Sequence, residues 1–194
     1  MILCHEHIKT AFESGAWTAY RDGAEIEAGG LHINSNSIDV TLGRKFLWID
    51  MGSVVDFHKP DCLPWQDTPL SSEDTIGMFP NDFYLAHTAE RFDCSAPLEI
   101  NGRETYFIPM LEGRSTVARC GLSVHSSAGY GDVGFSSSWT LELTTALPII
   151  LRPGDRIAQV FFIEASSGTV KYDGAYTDQH DGPRAPVLGK ERFR

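Results

Sequence analysis

Apolar residues in this chain come in short bursts, and their spacing changes from one burst to the next. Ile2, Leu3, Ile8, Ala11 and Phe12 recur at an imperfect helical period, and Gly15 can stop a helix. That spacing predicts a short helix over residues 2 to about 16. Ile38-Asp39-Val40-Thr41-Leu42-Gly43 instead alternates strictly. It predicts a half-buried strand ended by Gly43, with Asp39 on the solvent face. Phe46-Leu47-Trp48-Ile49, Phe83-Tyr84-Leu85-Ala86-His87-Thr88 and Thr105-Tyr106-Phe107-Ile108-Pro109-Met110 predict further strands. Leu147-Pro148-Ile149-Ile150-Leu151 and Ile157-Ala158-Gln159-Val160-Phe161-Phe162-Ile163 read as core strands around Arg152-Pro153-Gly154-Asp155, whose Pro-Gly centre fits a type II hairpin turn. In Trp139-Thr140-Leu141-Glu142-Leu143, a period of two puts the leucines on one face and Thr140 with Glu142 on the other.

The intervals are equally informative. Residues 24–30 are acidic and Gly-rich, which predicts a loop. Residues 54–73 carry Pro60, Pro64 and Pro69 among polar residues and read as a long connection or insertion. From Gly168 the chain turns polar, too poor in periodic apolar residues to build core; residues 168–194 are expected to form a C-terminal arm, an ordered lid or a disordered tail. Short strands, Gly/Pro turns and few helices predict one mainly β domain over residues 1–194, a barrel or double-sheet roll.

Composition narrows the function. A net charge of −10 argues against a general nucleic-acid binder, which needs a basic face. No apolar run approaches the length of a membrane span, and the first residues lack a signal-peptide pattern, so a cytoplasmic protein is expected. Cys4, Cys62, Cys94 and Cys120 are scattered without a CxxC pair and read as reduced thiols. Cys4-His5-Glu6-His7 invites a metal reading, but two His at i and i+2 do not share a helix face.

Three segments can carry chemistry. Gly113-Arg114-Ser115-Thr116-Val117-Ala118-Arg119 offers guanidinium forks, hydroxyls and Gly-flanked amides to an anion. It lacks P-loop spacing, and it reads equally as a helix start with a Ser cap. Glu142 is ordinary if its face meets solvent, and a general base or acid if that face lines a cleft. Asp132, among Gly129-Tyr130-Gly131 and Val133-Gly134, is by itself a turn residue.

The order and spacing of several segments resemble the dCTP deaminase family of the trimeric dUTPase-like superfamily. They are Ser37-Ile38-Asp39-Val40-Thr41-Leu42-Gly43, Thr88-Ala89-Glu90, the run from Gly113 to Leu122, Val124-His125, Ala128-Gly129, Gly134-Phe135, Thr140-Leu141-Glu142, Leu151-Arg152-Pro153-Gly154 and Tyr176-Thr177-Asp178-Gln179. The resemblance implies a distorted dUTPase-like β-barrel with short helices, a homotrimer with active sites between subunits, and an arm closing over nucleotide. It implies hydrolytic deamination of dCTP to dUTP and ammonia. Glu142 matches the catalytic glutamate, and Ser115 and Arg119 match residues that order the water and support the carboxylate. Arg114, Thr116, Gln179 and Tyr172 match triphosphate contacts, the Ala128 carbonyl matches the acceptor for the cytosine amine, and Asp132 matches the acid near the sugar.

The implied mechanism is zinc-independent: Cys4-His5-Glu6 mimics half of a zinc deaminase signature, but no PCxxC follows. Mg²⁺ is expected to arrive with the triphosphate, without a dedicated protein cage. The implied rivals are a bifunctional dCTP deaminase/dUTPase, a plain dUTPase releasing dUMP and pyrophosphate, and a non-catalytic nucleotide-binding regulator. The chain departs from the family's commoner pattern at Gly131 and Val133, where Ile and Pro usually flank the acid. It departs again at Thr144 or Thr145 for an Asn, at Ala175 for a Lys, and in the Gly-free run Ser136-Ser137-Ser138.

Overall fold

The computed structural model describes residues 1–50, 52–59, 62–68, 70–71, 73–166, 168–174, 176 and 182–189. It is mainly β, with every paired strand antiparallel. Two ladders form the framework. One runs Phe107–Gly113, Arg156–Glu164, Ile38–Thr41, His32–Ile33. The other runs Leu122–Ser123, Thr140–Thr145, Tyr84–His87, Leu47–Trp48, Gln66–Asp67. A third places Ser136–Ser137, Glu90–Asp93, Thr18–Arg21 and Ala24–Glu25 side by side. Two-stranded pairs complete the roll, Leu98–Ile100 with Arg103–Thr105 and Ile149–Leu151 with Ile76–Met78. The ladders are not closed into one continuous barrel: a single bridge from Leu42 to Thr88 links the ends of two of them, while Met110 to Tyr130 and Ile2 to Ile163 pin a loop and the first residues to the first ladder.

Between the layers lies an aromatic core. Trp17 meets Phe162 at 4.6 Å and packs edge-on against Phe12 and Phe107. Its Nε1–H donates to the Ala96 carbonyl at 2.9 Å, so a buried ring keeps its polar handle satisfied. The predicted helix is real but shorter, His5–Glu13, burying Ile8, Ala11 and Phe12. Residues 2 and 3 leave it because sheet pairing claims them: Ile2 bridges Ile163, and the Leu3 N–H donates to the Phe162 carbonyl.

Four expectations change. Residues 24–30 are not all loop, since Ala24–Glu25 pairs with Thr18–Arg21 and Ala28–Gly30 is a 3₁₀ turn. The Arg152–Asp155 turn has the type II form, with Gly154 at φ +88° and the Asp155 N–H donating to the Arg152 carbonyl. It is not a hairpin: its flanking strands pair with different partners, so the turn hands the chain from one ladder to another. Ile150 is exposed there, so Ile149–Leu151 is core on one face only: Leu151 is buried in the core and Ile149 packs against it. Asp39 is not solvent-facing either. It is 5% exposed, because its strand lies inside a ladder and arginines cover the carboxylate.

Candidate active site

The strand Thr140–Thr145 alternates as its sequence predicts, with Leu141, Leu143 and Thr145 buried and Thr140, Glu142 and Thr144 half-buried. It pairs with Tyr84–His87 in the register Glu142 to Leu85. Opposed residues in an antiparallel pair share a face. Glu142, Leu85, Thr140 and Phe83 therefore stand together, and all of them line one cavity of about 510 Å³. The face carrying Glu142 is a cleft.

The same cavity gathers Ala128, Asp132 and Tyr172. The Ser126 N–H donates to Glu142 Oε2 at 3.2 Å, fixing the carboxylate against the loop that leads to Ala128. That loop hugs the edge of Phe107–Gly113: the Leu111 N–H donates to the Gly129 carbonyl at 2.7 Å and the Gly131 N–H to the Pro109 carbonyl at 2.9 Å. A Cβ at Gly129 would sit 2.3 Å from the Leu111 carbonyl oxygen, so only glycine allows that approach. Gly131 is constrained by side chains too, its Cβ falling 2.9 Å from Phe135 Cδ2 and 3.1 Å from Trp139 Cζ2. Phe135 and Trp139 stack with centroids 4.0 Å apart. The exposed Asp132 begins the turn after Gly131, as its neighbours predict.

Described parts of the C-terminal segment meet this cavity. Tyr172 donates its N–H to the Val133 carbonyl, and the Arg184 N–H donates to Thr140 Oγ1 at 3.0 Å. Tyr176, Arg184 and Pro186 complete the lining. Gln179 lies outside the described residues.

The remaining predicted residues are elsewhere. Ser115–Arg119 is a five-residue helix whose N-cap is Arg114, without a side-chain cap. Ser115 is thus the first helical residue rather than the cap. Ser115, Thr116 and Arg119 are exposed, and neither they nor Arg114 line the cavity. Arg114 reaches Asp39 instead: its Nη2 lies 3.3 Å from Asp39 Oδ2, and Arg156 Nη1 approaches the same oxygen at 3.3 Å. Asn34 Nδ2 donates to Asp39 Oδ1 at 2.9 Å. One buried carboxylate thus sets the position of both arginines.

Sequence reasoning missed most of the cavity's aromatic wall: Trp65, Phe83, Tyr130, Trp139 and Tyr176. For Phe83 the signal was present, two residues before Leu85 on the Glu142 face. For Trp65 it was not, because its place depends on the pairing of Gln66–Asp67 with Leu47–Trp48. Among the described residues, no group of three or more His, Cys, Asp or Glu could hold a metal ion. Cys4 Sγ does lie 3.5 Å from His7 Nδ1, at the exposed start of the first helix. No helix among those residues is long and apolar enough to cross a membrane.

A family model described as dCTP deaminase-like matches residues 5–165. A protein of Clostridium acetobutylicum named "dCTP deaminase, dUMP-forming" is 31% identical over 159 residues, covering 82% of this chain and 84% of its own. One of the same name from Leifsonia xyli subsp. xyli is 33% identical, covering 98% of this chain and 90% of its own. The solved structure of the 2'-deoxycytidine 5'-triphosphate deaminase from Agrobacterium tumefaciens shares the fold. Its TM-score is 0.59 at 16% identity, over 83% of this chain and 47% of that one.

Proposed function

The chain belongs to the dCTP deaminase-like family, and on that premise we propose that it hydrolyses dCTP to dUTP and ammonia with Glu142 as the proton carrier. The observation that carries this reading is the place of Glu142: a carboxylate on the cavity face of its strand, tied to the Ser126 N–H, with Ala128 and Asp132 in the same cavity. Glu142 takes a proton from the water that attacks C4 of cytosine. It passes that proton to N3, then takes the remaining proton from the C4 hydroxyl of the tetrahedral intermediate and gives it to the departing amine. The C–N bond breaks as the C4 carbonyl forms, and the carboxylate acts as base and afterwards as acid. The Ala128 carbonyl accepts from the 4-amino group, Tyr172 closes the nucleotide's side of the cavity, and Gln179 in the arm contacts the triphosphate.

Ser115 and Arg119 are separate from the cavity and exposed on their helix. In this reading a second copy of the chain brings them to Glu142, in a homotrimer with sites between subunits. Arg114 and Thr116 from the same helix take the triphosphate. Mg²⁺ comes with those phosphates and keeps mostly water ligands.

A second reading carries the reaction one step further, to dUMP and pyrophosphate. The names of the Clostridium and Leifsonia relatives favour it, as does Asp132 in the same cavity as Glu142, where it can orient a second water toward the α-phosphate. The test offers dCTP and dUTP separately with Mg²⁺ and follows ammonia and pyrophosphate. Ammonia with accumulating dUTP supports the deaminase. Both products from dCTP, with pyrophosphate from dUTP, support the dUMP-forming enzyme. Pyrophosphate from dUTP without ammonia from dCTP rejects the deaminase reading.

A further inference from the structure

We propose that Trp65, supplied by the Pro-rich connection 54–73, is a specificity-determining residue whose indole packs on the nucleoside part of the substrate. The inference rests on the function proposed above. Its starting point is the register of the five-stranded ladder. Glu142 opposes Leu85, Leu85 opposes Leu47, and Leu47 opposes Asp67. These positions share a face. Side chains two residues apart also share one, so Trp65 lies on the Glu142 face across three strand-to-strand steps. The cavity follows the register, lined by Glu142, Leu85, Phe83 and Trp65 together.

Trp65 is poorly explained as a packing residue. A buried indole normally gives its N–H to an acceptor, as Trp17 does. Among the described residues the Trp65 Nε1–H is buried without a partner, as is the Trp139 Nε1–H on the same cavity wall. The fold uses the ring's area and leaves its donor unused, an arrangement that native structures seldom keep without a reason. The ring is nonetheless held: Phe83 packs on it with centroids 5.9 Å apart, and the pairing of Gln66–Asp67 with Leu47–Trp48 anchors the adjacent backbone.

The chemistry of the cavity selects which part of a nucleotide reaches this ring. Its wall is dominated by aromatic and apolar side chains, and Arg184 is the one Lys or Arg among its described lining residues. Of the described residues matched to the triphosphate, Arg114 and Thr116 lie outside it and Tyr172 adds an aromatic ring with a single hydroxyl to its wall. A triphosphate points out of such a wall, and a flat heterocycle with its sugar lies against it. Removing an aromatic partner from a stacked base weakens binding by about 5- to 150-fold.

The test compares wild type, Trp65→Ala and Trp65→Phe, after circular dichroism and thermal melting confirm that each is folded. Trp65→Ala is expected to raise KM for dCTP by about 10-fold or more while kcat changes less than about threefold, and Trp65→Phe to fall between. Inhibition by deoxycytidine should weaken in parallel, and inhibition by inorganic tripolyphosphate should stay at the wild-type value. An unchanged KM, or equal weakening toward tripolyphosphate, overturns the inference.

If Trp65→Ala does not fold, intrinsic fluorescence decides in a Glu142→Gln background, where nucleotide binds without turnover. The emission change on adding dCTP should shrink when Trp65→Phe is introduced, the remainder coming from Trp139 on the same wall, and an unchanged amplitude overturns the inference. The two levels stay distinguishable. Wild type that releases no ammonia from dCTP defeats the functional reading whatever Trp65 does. Normal turnover with an unaltered Trp65→Ala KM defeats the inference alone.

Discussion

The cavity wall and the short helix Ser115–Arg119 are built in opposite ways. The wall is made by register: Glu142, Leu85 and Phe83 share a face because antiparallel pairing leaves them no alternative. The helix has five residues, buries none of them, and makes its firmest tie through the preceding Arg114, which a buried carboxylate holds. One half of the proposed chemistry is therefore fixed by backbone pairing, and the other is presented outward from a surface turn. A complete constellation within one chain would have needed both in the cavity. The structure separates them, and that is the physical ground for reading the site as shared between copies.

The sharpest break in this comparison is Glu142→Gln. It is expected to abolish ammonia release, by at least ~10²- to 10⁴-fold, while dCTP still binds by calorimetry. Retained turnover would remove Glu142 from its role. Next comes complementation. Glu142→Gln and Arg119→Ala should each be inactive, and co-assembly of the two should restore about a quarter of the sites if each site draws on two copies. A mixture that stays inactive would place both halves in one chain.

A smaller effect is expected at the carboxylate that holds the helix. Asp39→Ala should cost on the order of 2 kcal/mol in a denaturant titration, since it strands charge-assisted hydrogen bonds. It should also weaken tripolyphosphate inhibition more than deoxycytidine inhibition, because Arg114 loses its anchor. Equal effects on both would detach Asp39 from phosphate binding.

The smallest effect belongs to His87, on the strand beside Glu142, opposite Thr140. Burial lowers its pKa below 6.5, opposed in part by the ring's hydrogen bond to the Thr88 carbonyl. Between the lowered folded value and 6.5, the unfolded chain binds more protons than the folded one. Stability should therefore fall as pH drops through 6.5 toward the folded value, and His87→Gln should flatten that slope in a melting series against pH. An unchanged slope would show that other groups set it.

The division of the central strand was legible because a period of two survives folding: Leu141 and Leu143 went inward and Glu142 took the opposite face, as the alternation demands, while the cleft on that face came from the tertiary structure. Asp39 was misread by the same rule. Alternation says which residues share a face, but not whether that face meets solvent or two arginines brought from far along the chain, one capping a helix and one on the neighbouring strand. Two hairpins carried a separate signal that apolar spacing does not show. Asp22-Gly23 and Asn101-Gly102 both take positive φ, joining Thr18–Arg21 to Ala24–Glu25 and Leu98–Ile100 to Arg103–Thr105. Trp65 was beyond reach for a different reason, since a residue in a Pro-rich connection acquires its neighbours only when a distant strand chooses its partner.

The packing around Gly131 couples it to the rings beside it. The stacked Phe135 and Trp139 rings occupy the space a side chain at 131 would need. Gly131→Ile alone drives a branched residue into that stack, and Trp139→Val alone empties the room beside a glycine. Together the two changes exchange volume, so the double variant should melt above Gly131→Ile. Neither position is free to drift while the other stands still.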